Sequence, residues 1–198
     1  MPGTKKRAPK EMRYAYGVVE TALAQVFGAN PSTQKGALRG RIQHLRRLGL
    51  PSSGPGRGKV IEYTDAQMWP WLIALELEEF GLDPALIVNM VRGAWRHLLR
   101  VIKTARATPN DDVLLIVHPR FMSGGWSGNP QLDPAFFDHV KLSDIGHLLT
   151  LYRENGQRGS IFNLSARLRS LDQALARFAG AGKLTVDAVV IKAKARVE

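Results

Sequence analysis

The chain has 198 residues, 44% of them hydrophobic, which suits one or two globular domains and excludes disorder of the whole chain. It has no cysteine, no apolar run near the roughly 18–20 residues of a membrane span and no secretory signal. Disulfides, thiolate metal sites and membrane spans are therefore not expected, and a cytoplasmic protein is. Of the net charge of +11, residues 1–60 carry +10, which favours a polyanion-binding surface over a basic tail beside a solvated helix face.

The first third of the chain has the pattern of two helices joined by a turn. Residues 1–10 are basic, contain two prolines and lack periodicity, which predicts a flexible basic arm. Apolar residues at helical spacing predict a first helix over 11–27, ended by Gly28, and a second over 32–48, ended by Gly49. The second helix is expected to bury one apolar stripe, which consists of Leu38, Ile42, Leu45 and Leu48.

Residues 50–63 predict a hairpin with a cationic tip. The tip is rich in glycine and carries Arg57, and a strand is expected over 59–63. Thr64 is expected to cap a helix over 65–80, which Gly81 ends. The following helix, residues 84–105, has more apolar residues than one face of a domain needs to bury, so we expect it to join an interface.

The second half of the chain has a different residue pattern. Its first apolar run, residues 113–117, predicts a buried strand, and we place a domain boundary near residues 105–111. Beyond it we expect a helix over 143–153, a strand over 160–164, a helix over 165–178 and a strand over 184–191. The predicted fold is α+β, with a winged helix-turn-helix domain and long connecting helix over 11–105 and a small α/β domain over 111–198 for dimerisation or effector binding.

The order of the N-terminal elements favours DNA binding. A helix, a turn, a basic helix, a cationic hairpin and a supporting helix follow one another as in a winged helix-turn-helix. A helix fits the major groove, where long cationic side chains reach base edges and phosphates. A glycine-rich wing brings backbone amides and cations close to a neighbouring groove.

Three segments resemble the DNA-binding region of the MerR family. They are the helix end RIQHLRRLGL at 41–50, the segment EYTDAQM at 62–68 and the helix end LEEFGL at 77–82, within a resemblance that covers roughly residues 15–92. The resemblance implies that the second helix reads the major groove and that the wing grips the backbone. Where the family has an Arg-Tyr pair, this chain has Gln43 and His44, and no effector is implied.

DNA contacts are therefore expected from the second helix and the wing. The expected residues are Lys35, Arg39, Arg41, Gln43, His44, Arg46, Arg47, Arg57 and Lys59. The expected function is that of a bacterial-type, nucleoid-associated transcriptional regulator, which binds double-stranded DNA sequence-specifically as a homodimer. No cofactor or membrane partner is expected, and any small-molecule effector is unknown.

Two other functions fit the sequence. One is a phage- or plasmid-type architectural, packaging or excision protein that binds DNA. The other is a nucleic-acid-processing enzyme built on the acid–histidine cluster of Asp138, His139, Asp144 and His147. The histidines lack the HxxxH and HExxH spacings of a metal site. Trp69 and Trp71 are expected in the core, and Arg92 and Arg96 on a solvated face.

Overall fold

The computed structural model describes residues 12–29, 33–51, 62–118, 136–155 and 159–179, which form an α+β fold. The N-terminal elements are β1 (Tyr14–Ala15), α1 (Tyr16–Val26), α2 (Lys35–Arg47), β2 (Glu62–Tyr63), α3 (Asp65–Glu79), α4 (Pro84–Gly93) and α5 (Trp95–Ala107). The remaining elements are β3 (Val113–Val117), β4 (Phe137–Lys141), α6 (Ile145–Asn155), β5 (Ser160–Asn163) and α7 (Leu164–Ala179). The predicted arm, the wing tip and the strand over 184–191 lie outside the described residues.

Glycines end α1 and α2 in the same way, as the sequence predicted. Gly28 has φ of +61° and Gly49 has φ of +95°, a left-handed backbone that side chains with a Cβ disfavour. After α2, the N–H of Leu50 donates to the carbonyl of Leu45 at 2.9 Å, and the N–H of Gly49 donates to that of Arg46 at 3.0 Å. These paired bonds form a Schellman motif, which fixes where α2 stops.

The first residues of the predicted N-terminal helix form a strand instead. Tyr14 and Ala15 pair antiparallel with Tyr63 and Glu62, so β1 and β2 make a two-stranded sheet. Tyr14 and Tyr63 are both buried, and aromatic residues suit a half-buried sheet. The helix prediction was wrong for residues 12–15, because the strand partners of Tyr14 and Ala15 lie some fifty positions away in the chain. Of the predicted hairpin, only its two ends are described.

The core below α2 is organised by an aromatic side chain of α3. Trp71 is fully buried, its ring centroid lies 4.8 Å from that of Tyr63, and its indole N–H donates to the carbonyl of Leu50 at 2.8 Å. The start of α3 is also as predicted, since the backbone N–H of Thr64 donates to the side-chain oxygen of Gln67 at 2.9 Å in a capping box. The bond from Trp71 to Leu50 holds the end of α2 against α3.

The helix predicted over 84–105 is two helices. Asp83 caps α4, but α4 ends at Gly93, and α5 begins at Trp95 after Ala94 adopts φ of −89° and ψ of 7°. The long connecting helix was therefore a wrong prediction. The expected surplus of apolar surface is also used internally, because most of the apolar residues of both helices are buried: Ile87, Val88, Met90, Val91, Ala94, Leu98, Val101, Ile102 and Ala105.

The C-terminal elements form a three-stranded antiparallel sheet in the order β4-β3-β5. All five residues of β3 are buried, as the apolar run predicted. The strand β4 was not predicted, because its sequence Phe-Asp-His-Val-Lys has few apolar residues. It is an edge strand with its middle residues exposed, so it needs little apolar surface to pair with β3.

The helix α7 packs against α1, so the predicted halves share one hydrophobic cluster. Arg167 of α7 pairs with the buried carboxylate of Glu76, donates to the carbonyl of Val26 at 3.0 Å and lies over the ring of Phe27. The domain division near residues 105–111 stays a prediction. Within the described ranges, no helix combines the length and apolar character needed to cross a membrane.

A carboxylate clamp at the start of β3 makes stability depend on pH. Arg169 donates to both oxygens of Asp112 at 2.6 and 2.9 Å, Asn163 donates at 2.7 Å, and these bonds lower the pKa of Asp112 to about 2. The contribution is therefore present above pH 4 and is lost as the pH falls from about 4 towards 2. Because Arg169 is half exposed, we expect its pairing with Asp112 to contribute only about 1 kcal/mol to the free energy of unfolding.

Urea unfolding of the wild type and of Asp112→Asn measures this contribution. The wild type should lose about 1 kcal/mol more than the variant between about pH 5 and pH 2. An equal loss in both proteins would show that the clamp does not depend on the charge of Asp112.

Candidate nucleic-acid interface

The helix α2 has one buried side and one fully open side. Leu38, Ile42 and Leu45 are buried, as predicted. At 100° per residue, the side opposite this stripe carries residues spaced by four, three and four positions. These residues are Gly36, Gly40, Gln43 and Arg47, and all four are exposed.

The two glycines on the open side are not required by the fold. A Cβ added to Gly36 or to Gly40 would meet no heavy atom within 4 Å, and both residues have ordinary helical backbone. Glycine within a helix costs roughly 0.8–1.0 kcal/mol relative to alanine. Their physical effect is to leave the first half of the open side smooth, so that another molecule can approach the helix backbone closely.

Two of the predicted DNA-binding arginines are engaged inside the molecule. The guanidinium Nε of Arg39 donates to both carboxylate oxygens of Glu20 at 3.0 and 3.1 Å, and Glu20 is buried in α1. Arg41 pairs with Glu79 and lies 3.6 Å from Glu78, at the C-terminal end of α3. These two pairs position α2 on α1 and α3, a role that the sequence analysis missed because the acidic partners lie on other helices.

The remaining predicted residues of α2 face solvent. Gln43, His44, Arg46 and Arg47 are exposed, and no acidic residue occurs in α2. His44, Arg46 and Arg47 occupy the last turn, where cations also complement the helix dipole. The structure therefore brings these four together along α2.

The other three predicted DNA-binding residues lie at the start of α2 or in the wing. Lys35 is the first residue of α2. Arg57 and Lys59 of the wing lie outside the described residues.

Within the acid–histidine cluster, the contacts in the structure involve Asp138 and His139. The backbone N–H of His139 donates to Asp138 at 2.7 Å, and the ring of His139 lies edge-on to that of His97, 5.8 Å between centroids. Burial lowers the pKa of His97, and His139 lowers it further. Among the described residues, no three acidic or histidine side chains are grouped so that they could hold a metal ion.

Comparison of the chain with protein-family models and with curated protein sequences found no match. The resemblance to the MerR family therefore stays a prediction from the residues quoted above.

Proposed function

We propose that the chain is a sequence-specific DNA-binding protein that acts as a homodimeric transcriptional regulator, with α2 in the major groove. The observation that carries the proposal is the open side of α2. It combines a smooth glycine half with Gln43 and Arg47, and no acidic side chain of its own interrupts it. By analogy with a winged helix-turn-helix of MerR type, we assign the wing to residues 50–63.

The side-chain chemistry of α2 fits base reading. An arginine can donate two hydrogen bonds to guanine, and a glutamine can make a bidentate pair with adenine. Gln43 and Arg47 lie one helical turn apart on the same side, so both can face one groove. The flanking cation Arg46 then suits a phosphate on the groove edge.

Contacts with α1 and α3 position α2 along its length, and base reading requires a positioned helix. Its N-terminal half is tied to α1 by Arg39 and Glu20, its middle to α3 by Arg41 and Glu79, and its end by the bond from Trp71 to Leu50. Binding groups held on an ordered helix lose little conformational entropy when they contact DNA.

Dimerisation is proposed because a single reading helix gives limited specificity. Two symmetric copies would read two half-sites about one helical turn, roughly 34 Å, apart. The apolar residues of α4 and α5 are mostly buried, so the dimer contact is not assigned to those helices.

Selection from a pool of randomised duplexes tests the proposal directly. The full chain should enrich one short inverted repeat, and footprinting on that duplex should protect both half-sites. Enrichment of no sequence, with uniform protection along the duplex, would favour an architectural or packaging protein. Absence of binding to any duplex would contradict DNA binding altogether.

Alanine at Gly40 should separate stability from binding. Because the added methyl group meets open space, Gly40→Ala should stabilise the protein by about 1 kcal/mol. The same methyl group should weaken binding to the selected duplex, because it fills space on the side that faces the groove. Thermal unfolding and a binding titration measure the two effects, and Gly146→Ala on the exposed surface of α6, where a Cβ also meets no atom, is the control.

A variant that gained stability and bound DNA like the wild type would show that Gly40 does not face the groove. Gly146→Ala should change the binding constant in neither direction.

A further inference from the structure

A second cationic surface lies on α4 and α5, outside the residues assigned to DNA reading. Residues 84–107 contain four arginines, one lysine and no acidic residue. All five are exposed. Four of them recur at intervals of four, four and three residues, beginning at the end of α4, and we call them the α5 stripe: Arg92, Arg96, Arg100 and Lys103. In α5 itself, this spacing places Arg96, Arg100 and Lys103 on one side of the helix.

The stripe is not neutralised within the described structure. Arg106, the fifth cation of the segment, pairs with Asp172 of α7 at 2.6 Å. No member of the stripe has an acidic group within ion-pair distance among the residues that the structure describes. Its positive charge is therefore available to an outside partner.

The like charges of the stripe destabilise α5, and solubility alone does not require this arrangement. Like charges four residues apart, such as Arg96 and Arg100, destabilise a helix by about 0.2–0.5 kcal/mol per pair. Arg96 also lies in the first turn of α5, where the helix dipole disfavours a cation. A surface that serves only solubility performs as well with both signs interspersed.

The stripe begins beside the end of the reading helix. A Cβ on Gly49, which ends α2, would lie 3.4 Å from Nη1 of Arg92. The guanidinium of Arg92, the first member of the stripe, therefore lies beside the end of α2. Duplex DNA carries a charge every ~1.7 Å along its axis and extends beyond any one groove contact.

We propose that Arg92, Arg96, Arg100 and Lys103 bind the phosphate backbone of the same duplex, flanking the segment that α2 reads. The inference rests on the proposed function, because it assigns the stripe to the DNA that α2 engages. The stripe would supply affinity without sequence preference, since phosphates carry no base information. It also makes the contacted duplex longer than the segment read by α2.

Salt dependence of binding tests the stripe with a composition-matched control. The test variant is Arg100→Gln with Lys103→Gln, and the control is Arg153→Gln with Lys141→Gln, on α6 and β4. All four side chains are exposed, and each pair removes one arginine and one lysine. Both variants therefore have the same net charge. Lys141 also lies 4.0 Å from a carboxylate oxygen of Asp111, so the stability of the control is measured by thermal unfolding as well.

On a long mixed-sequence duplex, the test variant should flatten the slope of log K against log salt by about two units, close to one per phosphate contact. The control should keep the wild-type slope. On a short duplex of roughly 10 base pairs, one helical turn, the test variant should bind like the wild type, because the flanking phosphates are missing. Thermal unfolding should show no loss of stability, since like-charge repulsion has been removed.

Each other outcome identifies what fails. An unchanged slope in the test variant, or an equal change in the control, would overturn the stripe while leaving reading by α2 intact. A loss that persists on the short duplex would overturn the flanking position. If the test variant lost affinity as expected while α2 variants kept full discrimination, the stripe would stand and the proposed reading role would fail. No binding by the wild type would remove both.

Discussion

Gln43→Ala should cost roughly 1–3 kcal/mol of binding free energy on the selected duplex and almost none on a scrambled one. The side chain is exposed on the open side of α2, so its removal should not disturb folding. It carries no charge, so its loss should leave the salt dependence of binding unchanged. Specificity should relax at one base pair of each half-site.

Arg47→Ala extends the same test to a charged residue. It should lose discrimination by a similar amount, but it should also flatten the salt slope if the guanidinium contacts a phosphate as well. Gln173→Ala, an exposed glutamine on α7, is the matched control for Gln43 and should bind both duplexes like the wild type. Titrations on both duplexes at several salt concentrations resolve these behaviours.

Full discrimination in both α2 variants would place the reading residues elsewhere. If variants of Arg57 and Lys59 then lost discrimination, the wing would be the reading element. If those variants weakened binding to every sequence alike, the wing would grip the DNA backbone, as proposed.

Trp71→Ala should destabilise the protein by about 3–5 kcal/mol, a large share of the stability of a small domain. The indole is fully buried, it packs on Tyr63, and it donates to the carbonyl of Leu50 just after α2. Its removal leaves a cavity and a buried carbonyl without that donor. Urea unfolding followed by far-ultraviolet circular dichroism measures the loss.

Phenylalanine at two tryptophan positions separates packing from hydrogen bonding. Trp71→Phe keeps most of the packing and should cost about 1–3 kcal/mol, mainly for the bond to Leu50. Trp69 lies two residues earlier, and its buried N–H has no hydrogen-bond partner in the described structure. Trp69→Phe should therefore cost less, and an equal cost at both positions would show that the bond from Trp71 contributes little.

Local signals in the sequence predicted the helices of the candidate site well. Gly28 and Gly49 mark the ends of α1 and α2, and Thr64 marks the start of α3, because capping acts within four or five residues of a helix end. The buried stripe of α2 also followed from spacing alone. Its opposite side was thereby predicted to face solvent before any neighbour was known.

The remaining predictions failed where residues far apart in the chain decide the structure. The strand at Tyr14 depends on pairing with Tyr63, and β4 depends on pairing with β3 rather than on its own composition. The apolar surplus of residues 84–105 is used because α4 packs on α2 and α3 while α5 packs on α7 and β3. No periodicity within a helix reveals how many neighbours will cover it.

By itself, the sequence determined that a cationic helix without acidic residues lies between two glycine stops and shows an open side. Only the tertiary structure divided its cations, because Glu20 and Glu79 hold Arg39 and Arg41 and leave Arg46 and Arg47 exposed. The same packing placed Arg92, the first member of the α5 stripe, beside Gly49 at the end of α2. The physical reason is that charge and helix periodicity are properties of a segment, whereas the partner of each charge depends on how segments pack.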